Sequence, residues 1–169
     1  MATDIRRVGF LLLPGTHPGA VMPALSVLLS ANRMAEQRRY APETYTLDEQ
    51  ALQASDGLSL VAAPWQQCAA GLAQLWLVAD QLPAADALPQ ELVAYLQQAL
   101  AAGVLLGGLE AGVAGLAFAG LLDQHRCSVH WRMLDEFRER FPGVEATTHL
   151  FELSDNLGSS SGGQATTDL

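Results

Sequence analysis

The chain has 169 residues, of which 50% are hydrophobic and 16% are charged. This composition excludes an intrinsically disordered protein, and the length is sufficient for a core that needs no metal or disulfide. All nine basic residues are arginine, and 18 acidic residues bring the net charge to −9. Such a chain lacks the clustered positive charge that binding to nucleic acid or to an anionic membrane surface requires.

Cysteine use and hydropathy indicate a cytoplasmic protein. Cys68 and Cys127 are too few for a disulfide framework and form no CxxC zinc motif, so we expect two reduced thiols and no metal or cofactor. The apolar run over 8–13 is too short for a signal peptide, and Glu110 interrupts the longer run over 103–122. We therefore expect no membrane segment.

Apolar runs alternate with segments of helical periodicity along the whole chain. The predicted strands lie at 8–13, 44–47, 52–61 (a strand or a hairpin), 75–79, 104–109 and 144–153. The predicted helices lie at 21–32, 86–103, 113–122 and 130–141, with a first helical turn at 165–169 and a Ser/Gly loop at 155–163. This alternation predicts an α/β fold, a three-layer sandwich in which a mainly parallel sheet carries helices on both faces.

The strongest local motif is Gly108-Leu-Glu-Ala-Gly112, between a predicted buried strand and a helix of small residues. A G-x-Nuc-x-G sequence at such a turn predicts a nucleophile elbow, which places the central side chain above the carboxyl edge of the sheet. The central residue is Glu110, neither serine nor cysteine. His130, at the start of a later predicted helix, becomes a second candidate through its pairing with this elbow.

The stretch from Leu105 to Trp131, LLGGLEAGVAGLAFAGLLDQHRCSVHW, resembles the signature of the DJ-1/PfpI superfamily, the class I glutamine-amidotransferase-like fold. It is most similar to the sensor domains of AraC-type transcription regulators. The resemblance continues over 134–142 and 161–169, and 7–15 also fits, so it covers nearly the whole chain. It implies a flavodoxin-like sandwich that forms a homodimer and binds a small-molecule effector.

The same resemblance places the DNA-binding unit, two helix-turn-helix motifs, beyond residue 169. We therefore expect residues 1–169 to form a single ligand-sensing domain, a fragment of a regulator that contacts DNA only through its missing part. Two-fold symmetry of a dimer would match paired DNA half-sites.

Three of the four parts that enzymes of this superfamily use are changed here. Their cysteine falls on Glu110, their histidine on His130, their acidic residue on Ala20, and their Gly-Gly pair near Asp80. A carboxylate cannot replace a thiolate nucleophile, and Asp80 would repel a developing oxyanion. The resemblance therefore implies a protein that is not an enzyme.

A carboxylate at the mouth of a pocket is suited to pair with a cation, and Trp131 or Trp65 could add an aromatic face. AraC-type sensors of the most similar branch respond to basic amino acids and quaternary amines, which agrees with this chemistry. We expect a cationic effector with contacts from Glu110, His130, Ala111, Asp80 and Gly15. Three alternatives remain open: a glutamate that only bonds nearby backbone N–H groups, a stand-alone DJ-1/PfpI-like hydratase or glyoxalase, and a scaffold that only dimerises.

Overall fold

The computed structural model describes residues 5–14, 16–35, 37–47, 52–53, 59–68, 71–84 and 87–169. In these residues the strands are β1 Arg6–Leu12, β2 Tyr40–Thr46, β3 Leu52–Gln53, β4 Ser59–Leu60, β5 Ala63–Pro64, β6 Leu72–Ala79, β7 Leu105–Glu110, β8 Arg126–Ser128, β9 Glu145–Thr147, β10 Phe151–Ser154 and β11 Leu157–Ser160. The α-helices are α1 Met22–Met34, α2 Gln90–Ala101, α3 Val113–Phe118, α4 Leu134–Arg140 and α5 Gln164–Asp168. Short 3-10 turns lie at Pro18–Ala20, Trp65–Gln67 and Trp131–Met133.

Seven strands form one sheet in the order β10-β11-β7-β6-β1-β2-β5. Every neighbouring pair is parallel except β10 and β11. The strand order reverses at β1, which has β2 on one side and β6 on the other. Ligands of open α/β sheets bind outside the carboxyl ends of the strands at such a reversal.

Side chains of successive strand residues point to opposite faces of the sheet, and each face carries its own apolar cluster. The larger cluster includes Leu77, Leu92 and Phe137, all with 0% exposure, and packs under α2, α3 and α4. The smaller cluster includes Phe10 and Trp76 and packs under α1 and the end of α5. The predicted α/β sandwich is confirmed, with helices on both faces.

The predicted loop over 155–163 is wrong, because β11 occupies its centre and lies buried between β7 and β10. Leu-Gly-Ser-Ser has little β propensity, and its polar side chains find partners inside the fold. The Ser159 hydroxyl accepts from the Ser128 N–H at 2.8 Å, and the hydroxyls of Ser160 and Thr166 lie 3.2 Å apart. Tertiary partners therefore stabilise a strand that local sequence does not indicate.

Other predicted elements are present with shifted bounds. The single strand predicted over 144–153 is two strands, β9 and β10, in different sheets. The helix predicted over 130–141 begins as a 3-10 turn before α4. Within the strand or hairpin predicted over 52–61, residues 54–58 lie outside the described residues. In the described part of the chain, no helix has the length and apolar character needed to cross a bilayer.

On the face of the sheet that holds the smaller cluster, the side chain of Trp76 lies over two glycines. Gly107 pairs with Trp76 on one side and with Gly158 on the other. A Cβ at Gly107 would lie 2.0 Å from the Trp76 ring, and one at Gly158 would lie 2.8 Å from it. The indole therefore lies on the backbone of β7 and β11, where any larger residue would displace it.

We expect Gly107→Ala to destabilise the fold by about 1–3 kcal/mol, the usual effect of overpacking a core. Urea denaturation measures the loss. Gly143→Ala is the control, since no heavy atom lies within 4 Å of a Cβ at that turn. Equal midpoints for the two variants would contradict the packing of the indole on Gly107.

Candidate functional site

The turn after β7 has the sharp bend that the sequence predicts. Glu110 has a φ of 54°, in the left-handed region that costs a non-glycine residue about 1–3 kcal/mol. The N–H of Ala111 donates to the carbonyl of Ala79 at 2.8 Å, which ties the turn to the end of β6. A Cβ at Gly112 would lie 2.0 Å from the carbonyl oxygen of Leu77, so only glycine allows this approach. The elbow geometry is present with a carboxylate at its tip.

The Glu110 side chain is half-buried and contacts the start of α5. Its Oε1 accepts from the N–H of Gly163 at 3.3 Å. A Cβ at Gly162 would lie 2.1 Å from Glu110 Cγ, so this glycine forms the surface on which the side chain rests. The carboxylate therefore bonds a backbone N–H, as one of the open alternatives expects, but the donor lies after β11 and not at the start of α3.

The surroundings of Glu110 favour its neutral form. Burial raises the pKa of this carboxyl above its ordinary value, and the charge of Asp80 raises it further. The hydrogen bond from Gly163 acts in the opposite direction. The net rise shows that the protein only partly compensates a negative charge at this position.

Asp80 follows β6 and connects it to the loop after β1. Its Oδ2 accepts from the N–H of His17 at 2.6 Å, while its Oδ1 is buried with no hydrogen-bond partner among the described residues. The Thr16 hydroxyl donates to the carbonyl of Val78 at 2.9 Å in the same loop. Asp80 thus lies at the reversal of strand order, next to the strand that ends in Glu110.

His130 forms the N-cap of the 3-10 turn Trp131–Met133. Its Nδ1 accepts from the N–H of Arg132 at 3.2 Å, and its ring stacks on Trp131 with centroids 5.6 Å apart. Among the described residues, no hydrogen bond or ion pair joins His130 to Glu110. Its role as a ligand contact stays a prediction.

The segment that precedes His130 is anchored beside the elbow strand. Two residues earlier, the N–H of Ser128 bonds the hydroxyl of Ser159. Ser159 pairs with Gly108 of β7, two residues before Glu110. The histidine therefore follows a segment that is anchored beside the elbow strand.

The other candidate residues that the structure describes have contacts of their own that do not involve Glu110. Ala111 is fully buried and its N–H is bonded to β6, so it offers a ligand neither an exposed side chain nor a free donor. Gly15 lies outside the described residues. Trp131 is 67% exposed. The guanidinium of Arg132 lies over its ring in a cation–π contact, with Cζ 5.1 Å from the ring centroid. Trp65 packs on Tyr95 with centroids 6.1 Å apart.

Both cysteines are free and buried. Burial raises the pKa of Cys127 to about 12 and also raises that of Cys68. Neither thiol therefore supplies a thiolate at neutral pH. The described part of the chain contains no group of three His, Cys, Asp or Glu side chains that could hold a metal ion.

Sequence reasoning missed two features. The first is the Gly162–Gly163 turn, which lay in the predicted loop and meets Glu110 only because β11 lies beside β7. The second is a cavity of about 190 Å³ on the smaller face, between the sheet, α1 and α5. Its walls include Phe10, Leu28, Tyr40, Trp76, Thr166, Thr167 and Leu169. No local pattern indicates a space whose walls come from six separate segments.

The chain is similar to known transcriptional regulators. No protein-family model matches the chain. The chain is 38% identical over 169 residues to the HTH-type transcriptional regulator ArgR of Pseudomonas aeruginosa. The match covers all of this chain and 50% of that regulator, so the chain spans about half the length of this curated relative.

The fold of the chain is also similar to those of two solved structures. A crystal structure of an AraC family transcriptional regulator from Pseudomonas putida is similar with a TM-score of 0.83 and 28% identity, over 97% of this chain and 88% of that one. A ThiJ/PfpI domain protein from Brachyspira murdochii is similar with a TM-score of 0.79 over 97% of this chain and 91% of that one. At 12% identity it shows the fold alone.

The raised pKa of Glu110 predicts how its charge affects stability. We expect Glu110→Gln to raise the melting temperature at pH 7, because the amide removes a charge that burial disfavours while keeping an acceptor for Gly163. The difference from wild type should shrink as the pH falls through the raised pKa and vanish below 4.5, the ordinary value. Thermal unfolding followed by circular dichroism at several pH values measures this.

Glu139→Gln, at an exposed position of α4, is the matched control and should leave the melting temperature unchanged over the same range. A Glu110→Gln variant that is less stable than wild type at pH 7 would show that the carboxylate is needed for folding.

Proposed function

The chain belongs to the DJ-1/PfpI-like domains of AraC-type transcription regulators, and we propose that it binds the effector of such a regulator. The effector is a small cationic metabolite, an amino acid or a quaternary amine, that pairs with Glu110 beside Asp80. The observation that carries this proposal is a half-buried carboxylate at the tip of a strained turn, at the edge where α/β sheets bind ligands.

The charges around this edge support a cationic ligand. Neither Glu110 nor Asp80 has an ion-pair partner among the described residues, in which Arg7, Arg126 and Arg140 pair with other glutamates. Desolvated negative charge is costly unless a cation or hydrogen-bond donors compensate it. A bound ammonium or guanidinium group would supply that compensation, and the charge-assisted bond would be stronger than in water.

The buried thiols disfavour the alternative of a stand-alone enzyme. The superfamily's nucleophile is a cysteine at the elbow, and this position holds Glu110. Cys127 is 0% exposed and its thiol stays protonated at neutral pH. The similar proteins from Pseudomonas aeruginosa and Pseudomonas putida are transcriptional regulators.

We further propose a cytoplasmic homodimer that contacts DNA through another part of the regulator. The net charge of −9 makes this domain a poor partner for phosphate groups. Met22 and Leu29, two turns apart on α1, are 51% and 50% exposed, which gives the helix an outer apolar face suited to a second copy. A two-fold dimer would match paired half-sites on DNA.

A thermal-shift screen tests the proposal with arginine, other cationic amino acids, carnitine, choline and betaine. A ligand at a hundredfold excess over its Kd adds about 2.7 kcal/mol, which raises the melting temperature by about 5–10 °C for a domain of this size. We expect such a shift in wild type and its loss in Glu110→Gln.

Asp123→Asn is the matched control, because it removes one exposed carboxylate outside the elbow and should keep the full shift. No shift with any of these cations would contradict the cationic effector. A shift of equal size in Glu110→Gln would place the ligand away from the elbow.

A further inference from the structure

We propose that Glu110 transmits effector binding to α5: the cationic effector takes the carboxylate from the Gly163 N–H and thereby releases the start of that helix. This inference rests on the proposed function, since it assigns a conformational consequence to the same site. It makes the elbow residue both the ligand's counter-ion and the anchor of the last helix.

The contact between Glu110 and the Gly162–Gly163 turn is close enough to couple them. A Cβ at Gly162 would lie 2.1 Å from Cγ, 2.6 Å from Cδ and 2.7 Å from Oε1 of Glu110. The side chain therefore touches the turn along its length, and Oε1 also accepts from Gly163 at 3.3 Å. A change in the position of this side chain must be met by a change in the turn.

The backbone of the turn can accommodate such a change. Gly162 and Gly163 have φ values of 95° and 57°, conformations that glycine adopts without the cost that other residues incur. On the side of β11 the chain is fixed, because the N–H of Ser161 donates to the carbonyl of Leu150 at 2.9 Å. The two glycines are thus a hinge between a fixed strand end and α5.

The turn keeps a second set of bonds that does not involve the elbow. The N–H of Gly162 donates to the hydroxyl of Ser160 at 3.1 Å, and that hydroxyl lies 3.2 Å from Thr166. Loss of the Glu110 bond would therefore loosen α5 without detaching it. This is the behaviour expected of a switch with two similar states.

The far end of α5 has space in which to move. Thr166, Thr167 and Leu169 form part of the wall of the cavity of about 190 Å³, and α1 supplies the opposite wall. Leu169 also packs against the smaller apolar cluster. Displacement of α5 would therefore change its packing on α1, the helix whose outer face we propose as the dimer surface.

Hydrogen exchange followed by mass spectrometry tests the anchor in the ligand-free chain. We expect Glu110→Ala to accelerate exchange of the amides over 163–169 by about fivefold, the factor for one lost hydrogen bond. The amides of α2, on the opposite face, should keep their rates, which separates local release from global destabilisation.

Gly162→Ala tests the same anchor with the carboxylate retained, because its Cβ would push the Glu110 side chain away. Gly120→Ala is the matched control: its φ of 69° imposes a similar backbone strain, but no heavy atom lies within 4 Å of its Cβ. We expect faster exchange over 163–169 in Gly162→Ala. In Gly120→Ala the exchange rates over 163–169 should equal those of wild type.

The ligand arm uses arginine and choline at concentrations that raise the melting temperature. We expect the bound cation to accelerate exchange over 163–169 in wild type and to have no effect in Glu110→Ala. Unchanged exchange in both apo variants would overturn the inference. A cation that raises the melting temperature without changing exchange would also overturn it while leaving the proposed function intact, and failure of every cation to raise the melting temperature would remove both.

Discussion

The backbone packing at the end of β7 is the constraint on which the site depends. A Cβ at Gly108 would lie 2.3 Å from the Cα of Val113, and one at Gly112 would lie 2.0 Å from the carbonyl oxygen of Leu77. With glycine at both positions, the chain can leave β7, turn sharply and begin α3 directly against β6. Glu110, midway between these two glycines, adopts a positive φ, and its side chain lies at the edge of the sheet.

Glu110 and Asp80 connect the end of β7 with the chain segments that follow β1, β6 and β11. Asp80 at the end of β6 holds the loop after β1 through the N–H of His17, and it raises the pKa of Glu110 through its charge. Gly163, after β11, donates to Glu110 from the other side. The edge therefore concentrates negative charge at the carboxyl ends of the strands, and the Gly163 bond connects that charge to α5.

The fold retains the geometry of a nucleophile elbow while its chemistry has changed. The strained turn, which in enzymes of the superfamily presents a thiol, presents here a carboxylate whose charge the protein compensates only in part. Strain and incomplete compensation are costs that a bound cation can offset. A turn that presents a nucleophile in enzymes is thus suited here to pair with a cation, and a backbone hydrogen bond connects it to the start of α5.

The amino-acid sequence by itself determined the α/β class, the buried strands β1, β6 and β7, the helix α2 and the elbow at Glu110. These features depend on local patterns: continuous apolar runs, helical periodicity and a glycine two residues to either side of Glu110. Only the tertiary structure decided that Leu157–Ser160 is a strand, because its stability comes from Trp76 over Gly158 and from partners of its serines on other segments. The bond between Glu110 and Gly163 spans 53 residues and exists only because β11 pairs with β7, so no local pattern could predict it.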